Sequence, residues 1–258
     1  MHLHFKTLGE GPALIILHGL FGMGDNFQSI ASKLAGEFKV YLLDQRNHGR
    51  SAHSDVFGYE ALSEDLVEFF YTRGIGKACL LGHSMGGKTA MHFTFQFPEL
   101  VEKLIVADMS PAARSITRQH LDVLHAMLGM DLKSFTSRAE IEKALEIILR
   151  SEKLRNVVMK NLYRTDDHSF AWRPNIAAIN QNISRVFQGI APPPIARPIP
   201  TLFLKGENSD YIQKEDEELI RSMFSSVSFA TIARASHWLH ADNPEDFVRE
   251  VQHFLIGN

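Results

Sequence analysis

The sequence predicts a mostly parallel β-sheet covered by helices on both faces. Short apolar runs at Ala13–Leu17, Lys39–Leu43, Ala78–Leu81 and Leu104–Ala107 alternate with helical segments. That is the pattern of strands buried on both faces and joined by helical crossovers. After Pro111 the alternation stops for a long helical tract, then resumes at Thr201–Leu204. One sheet domain carrying an insertion fits this break. At 258 residues, 45% hydrophobic and 10% aromatic, the chain has material for such a core without a staple.

Taken in order, His2–Thr7 alternates and leads through Gly9-Glu10-Gly11-Pro12 into the strand Ala13–Leu17. Asp25 or Asn26 can cap a helix to about Leu34, and Lys39–Leu43 is a strand ending at Asp44. Leu62, Leu66, Phe69 and Phe70 give Glu60–Arg73 helical spacing. Ala78–Leu81 is followed by a helix to about Phe97, then by the strand Leu104–Ala107. From Pro111 to about Ala196 the sequence reads as nearly all helix, with no convincing buried strand. Helical runs are expected at Gln119–Met130, from the capping box Ser137-Arg138-Ala139-Glu140 to Arg150, at Lys153–Tyr163 and at Ile176–Phe187. The proline-rich segment Ala191–Pro200 closes the insertion. A helix (Glu215–Phe224), a strand (Val227–Ile232) and a helix (Pro244–Phe254) complete the sheet domain. The expected division is a core of residues 1–110 and 198–258, with 111–197 as a helical lid above the strands' carboxyl ends, where open α/β sheets bind ligands.

A net charge of −3 gives no reason to expect nucleic acid or an anionic membrane as partner. The single cysteine, Cys79, lies in an apolar run and permits no intramolecular disulfide, which suits a reducing cytoplasm. The N-terminus lacks a signal-peptide pattern, and Ala13–Leu17 is far too short to span a bilayer. No Cys/His cluster of metal-binding spacing occurs, so neither a catalytic metal nor a cofactor is expected.

The most informative stretch is Ala78–Met91. Gly82-His83-Ser84-Met85-Gly86 stands between a strand and a helix, the context of a nucleophile elbow. The turn strains the serine backbone, and neighbours without a Cβ let strand and helix approach. The same letters also fit a phosphate-binding loop, with Gly82, Gly87, Lys88 and Thr89 in register. Leu104–Asp108 would then serve as a magnesium-binding strand. That reading leaves His18-Gly19-Leu20-Phe21-Gly22 and His237 idle. A dinucleotide reading beginning at Gly22-x-Gly24 fails, because Phe27 stands where the third glycine belongs. Asp44 and Arg46 more simply fix the loop between them.

Four motifs occur in sequence: His18-Gly19-Leu20-Phe21-Gly22, Asp44-x-Arg46-Asn47-His48-Gly49-x-Ser51, Gly82-His83-Ser84-Met85-Gly86-Gly87 and Ser236-His237-Trp238-Leu239-His240-Ala241. Together they resemble the α/β-hydrolases, specifically the small YbfF-type esterases. The resemblance extends over essentially the whole chain, including Trp172-Arg173-Pro174-Asn175. It implies a Ser-acid-His triad in that chain order. A serine hydroxyl needs a histidine to take its proton and a carboxylate to orient that histidine. Ser84 is the candidate nucleophile. Of the 13 histidines, His237 is the candidate base, because it follows the last strand. His240, His83 and His18 read as structural.

Two aspartates compete for the third role. Asp108 ends the strand after the elbow, and the resemblance implies this position; Asp210 follows the next strand, with Glu207 a distant third. The backbone N–H of Met85, the residue after the nucleophile, would hold the oxyanion. The resemblance adds that of Leu20, with Phe21 adjacent and forming an apolar pocket wall. Leu121, Leu124 and Met127 could bound an acyl pocket or form lid core. The expected activity is that of a serine carboxylesterase on short or medium acyl esters, or thioesters. Carbon–carbon bond hydrolases and acyltransferases share the same triad. A non-catalytic ligand receptor and a P-loop NTPase are the more distant alternatives.

Overall fold

The computed structural model describes residues 1–192 and 198–257. Seven strands form the main sheet: β1 (Phe5–Leu8), β2 (Ala13–Leu17), β3 (Lys39–Leu43), β4 (Ala78–His83), β5 (Val101–Ala107), β8 (Thr201–Gly206) and β9 (Val227–Ile232). Their order is β1-β3-β2-β4-β5-β8-β9, with β1 antiparallel to β3 and every other pairing parallel. Alternate side chains along each strand serve opposite faces. Ile15, Leu17, Leu80, Leu104 and Phe203 pack under α2 (Tyr59–Arg73), α3 (Met85–Gln96) and α9 (Lys214–Met223). Leu14, Ile16, Leu81 and Ile105 pack under α1 (Gln28–Leu34), α10 (Leu239–Asp242) and α11 (Pro244–Ile256). Cys79 belongs to this second face, and burial pushes its thiol up to about 11, which leaves it inert.

Between β5 and β8 the chain forms α4 (Arg118–Gly129), α5 (Arg138–Ile148), α6 (Glu152–Lys160), a hairpin of β6 (Leu162–Arg164) with β7 (Phe170–Trp172), then α7 (Ile176–Gln181) and α8 (Ile183–Phe187). The hairpin interrupts the nearly all-helical tract that was expected and takes Leu162 and Tyr163 from the helix expected at Lys153–Tyr163, while neither of its strands is buried along its length. Its strands have three residues each, too few to show a period. The single helix expected at Ile176–Phe187 breaks at Asn182. There the side-chain amide donates to Ala178 O at 2.9 Å and to Asp55 O at 3.0 Å. Part of the proline-rich stretch expected to end the insertion, residues 193–197, lies outside the described residues.

The insertion builds a third core of its own. Leu124, Met127, Ile141, Leu145 and Val158 pack with Leu20, Phe21 and Met85 at the carboxyl edge of the sheet. Leu124 and Met127 are thus interior residues, while Leu121 is 37% exposed. The ends of the insertion run side by side: Arg114 N–H donates to Phe187 O at 2.9 Å and Ile190 N–H to Pro111 O at 2.8 Å. Beneath them the buried Lys88 ammonium donates to Ala112 O at 2.9 Å and Gln188 O at 2.5 Å. Burial and the nearby Arg114 charge push that ammonium down to about 8.

The glycines of the elbow are fixed by space. A Cβ on Gly82 would stand 2.2 Å from Gly86 O, and one on Gly86 would stand 2.3 Å from Leu17 O. Gly82→Ala and Gly86→Ala are each expected to cost about 3 kcal/mol or more in urea unfolding. Gly129→Ala, with open space around it, is expected to be neutral or mildly stabilising.

Candidate active site

Loops after β2, β4, β5 and β9 meet above the middle of the sheet. Ser84 stands at the tip of the β4–α3 turn with φ 54° and ψ −119°, a conformation that L-residues rarely adopt. Its N–H donates to Ala107 O at 3.1 Å, which ties the turn to β5. Its side chain caps no helix N–H. The hydroxyl is therefore not committed to the α3 terminus.

Asp108 follows β5, is wholly buried and has φ 51°. Its N–H donates to Leu204 O at 2.8 Å, and its Oδ1 accepts from Gly206 N–H at 3.0 Å. Oδ2 accepts from Ser209 Oγ and, at 2.8 Å, from His237 Nδ1. A carboxylate only accepts, so Nδ1 carries a hydrogen, and Nε2 is the nitrogen whose lone pair the neutral tautomer presents. The ring is fixed further by Tyr211, stacked at 3.6 Å with an interplanar angle of 16°. His83 Nε2 donates to the His237 carbonyl at 2.8 Å. Asp210, the rival carboxylate, is exposed and makes no hydrogen bond to His237 among the described residues. Glu207 instead accepts from Arg234 N–H at 2.6 Å.

Ser84 and His237 open into one cavity of about 120 Å³, walled by Phe21, Val123, Leu154, Val157 and Val158. Val123, rather than Leu124 or Met127, is the apolar α4 side chain that reaches it. A recess of about 20 Å³ adjoins Leu20, Ser84 and Met85, with room for about one water-sized group. The Leu20 and Met85 N–H groups have no acceptor among the described residues.

The geometry of the first loop explains why Leu20 N–H is free. Gly19 O accepts from Gly22 N–H at 2.9 Å and from His18 Nδ1 at 2.8 Å. In a trans peptide the N–H opposes the C=O, so the Leu20 N–H points away from both donors. The neighbouring Phe21 N–H is already spent on His48 Nε2 at 3.2 Å. His48 Nδ1 donates in turn to Arg46 O at 3.0 Å, and His18 Nε2 accepts from Gln45 N–H at 3.0 Å. Burial pushes His18 down to about 4 and His48 to about 3, so both stay neutral in these roles.

Asp44 accepts from Gly24 N–H at 2.7 Å and Arg50 N–H at 2.8 Å, and Arg46 grips Asp65 through two bonds of 2.5 and 2.7 Å. The phosphate-loop pattern has no cradle here. Met85 and Gly86, which should lie in the phosphate-wrapping loop, already belong to α3, and the lysine is held by carbonyls.

Residues 12–244 match the family described as alpha/beta hydrolase fold. The chain belongs to the α/β-hydrolases. Among α/β-hydrolases it is 36% identical to the sn-1-specific diacylglycerol lipase ABHD11 of Danio rerio, covering 97% of this chain and 80% of that one. It is 28% identical to Esterase YbfF of Escherichia coli K12, covering 94% and 92%. A solved marine microorganism esterase superposes with a TM-score of 0.95 at 44% identity, covering 98% of each chain. Among the described residues no helix is long and apolar enough to cross a membrane.

Several groups around this site carry no signal in the sequence. Ser209 shares a polar turn with Asp210, and nothing in the letters distinguishes the two. Tyr211 is one aromatic among many. His120, on α4, lines both cavities, and burial together with the neighbouring His237 pushes it down to about 4. Each acquires its place only through tertiary contact.

Burial also dictates an acid response. His18, His48, His83 and His240 are all held below 6.5, the last at about 3 and with no partner for its Nδ1 among the described residues. From about pH 6.5 down to about 4 the unfolded chain therefore binds protons that the folded chain refuses. Stability falls with pH in that window, and these groups leave it unaffected above 6.5. Each fully excluded proton contributes about 1.4 kcal/mol per pH unit. His240→Leu should make the stability–pH slope between pH 6 and 4 shallower by about one proton in urea titrations. An unchanged slope would exclude His240 as a source.

Proposed function

We propose that this α/β-hydrolase is a serine carboxylesterase acting on short to medium acyl esters, with thioesters as equivalent acyl donors. The reading rests above all on the 2.8 Å bond between His237 Nδ1 and Asp108 Oδ2, beside a cavity that Ser84 shares. Ester hydrolysis accords with the lipase and esterase relatives, and the small apolar cavity accords with short chains.

In this mechanism Ser84 Oγ attacks the acyl carbon while His237 Nε2 takes the hydroxyl proton. Asp108 remains ionised and stabilises the imidazolium. The carbonyl oxygen gains the negative charge and is met by the N–H groups of Leu20 and Met85, preorganised in the small recess. His237 then gives its proton to the leaving alkoxide or thiolate, and an acyl-Ser84 ester remains. Water, deprotonated by His237, repeats the attack and releases the carboxylic acid. Residues 111–197 act as a lid domain over residues 1–110 and 198–258, walling the acyl side through Val123, Leu154, Val157 and Val158.

The test is labelling with a fluorophosphonate, with the adduct mapped by mass spectrometry. An adduct at Ser84 that is absent in His237→Ala is expected. Asp108→Asn should lower kcat by about 10⁴-fold through loss of the correct tautomer, while Asp210→Asn leaves turnover unchanged. Loss of turnover confined to Asp210→Asn would reassign the acid.

A further inference from the structure

Asn161 is a buried polar side chain that the mechanism above leaves unused. It terminates α6 within the insertion and is 1% exposed. Its Nδ2 donates to Phe21 O at 2.7 Å and to Val157 O at 2.9 Å. Its Oδ1 is buried with no partner among the described residues. Rotating the amide by half a turn would set Oδ1 against two carbonyl oxygens, so the orientation is fixed. Leaving an acceptor unsatisfied costs about 1–3 kcal/mol, and an aliphatic residue would avoid that cost.

The bond to Phe21 completes a set. Phe21 sits in the left-handed region at φ 61°, which a phenylalanine does not hold without support. The peptide following it is gripped at both ends: its C=O by Asn161, its N–H, that of Gly22, by Gly19 O. The peptide preceding it is held by His48. The loops after β2 and β3 supply all of these contacts except the one from Asn161, which belongs to the insertion. Asn161 therefore reaches across from the lid to the turn whose shape aims the Leu20 N–H.

We infer that Asn161 is a positioning residue for the oxyanion site, and that its contact makes full catalytic competence depend on a seated lid. The inference rests on the serine-esterase reading given above. It differs from a packing role in what it predicts. Loss of the Nδ2 donor should weaken binding of the tetrahedral state far more than binding of the substrate.

The experiment compares wild type, Asn161→Ala and Asn161→Asp, the last keeping the shape but replacing the donor. Each is assayed for kcat and KM on p-nitrophenyl butyrate. Each is also assayed for inhibition by an alkyl trifluoromethyl ketone, which adds to the serine, and by the matching alkyl amide, which does not. Thermal unfolding identifies whichever variant is folded at the assay temperature. A fall in kcat of roughly 10–100-fold, with KM and amide inhibition little changed and ketone affinity falling in parallel, is expected. Unchanged kcat in a folded variant, or a loss confined to KM and amide binding, would overturn the inference. Should both variants unfold, His48→Gln, which disturbs the other support of Phe21, must show the same split in wild-type context or the inference fails. Wild type inert to both the ester and a fluorophosphonate would instead overturn the esterase reading beneath it.

Discussion

The structure depends on backbone strain collected along one edge of the sheet. Phe21 after β2, Asn47 after β3, Ser84 after β4, Asp108 after β5 and Arg234 after β9 all have positive φ, between 51° and 63°. Each costs on the order of 1 kcal/mol or more, and none is a glycine. Two apolar layers, one under each face, oppose that cost and keep the strand ends where they are. Chain reversals this sharp turn side chains out of the sheet plane, toward the space that the inserted helices cover. Strain at the edge and burial beneath it are two sides of one arrangement.

Electrostatics sort the histidines there. His18, His48, His83 and His240 are stripped of water without a carboxylate in hydrogen-bond contact, so burial holds them neutral; the first three serve as fixed donors or acceptors, and His240 stacks on Phe27. His237 differs in having Asp108 against Nδ1 and an aromatic ring against its face. Asp108 in turn receives three hydrogen bonds, from Gly206, Ser209 and His237. That shell satisfies a carboxylate with no solvent exposure, which would otherwise be costly to bury.

Much of this was legible in the sequence, because local geometry demands particular letters. The sheet followed from apolar runs whose lengths admit only buried strands. The elbow followed from glycines that close packing requires at 82 and 86. The choice between Asp108 and Asp210 was not legible from local pattern, since both follow a strand. The contact that sets Asp108 against His237 joins residues 129 positions apart. The β6–β7 hairpin was missed because three-residue strands carry no alternation, and the break at Asn182 because its amide competes with the helix only once Asp55 is near. Asn161, Ser209 and Tyr211 stayed hidden for the same reason: their roles are relations between distant segments.

Lys88 gives the inserted helices an architectural property. One ammonium holds the carbonyls of Ala112 and Gln188, so the chain leaves the sheet and returns to it through a single tethered gateway. Growth, shrinkage or replacement of what lies beyond that gateway need not shift β5 or β8. The strands can thus be inherited as a constant chassis, while the segment above them varies with whatever must be admitted, so long as it keeps the donor that Asn161 offers to the strained Phe21 turn.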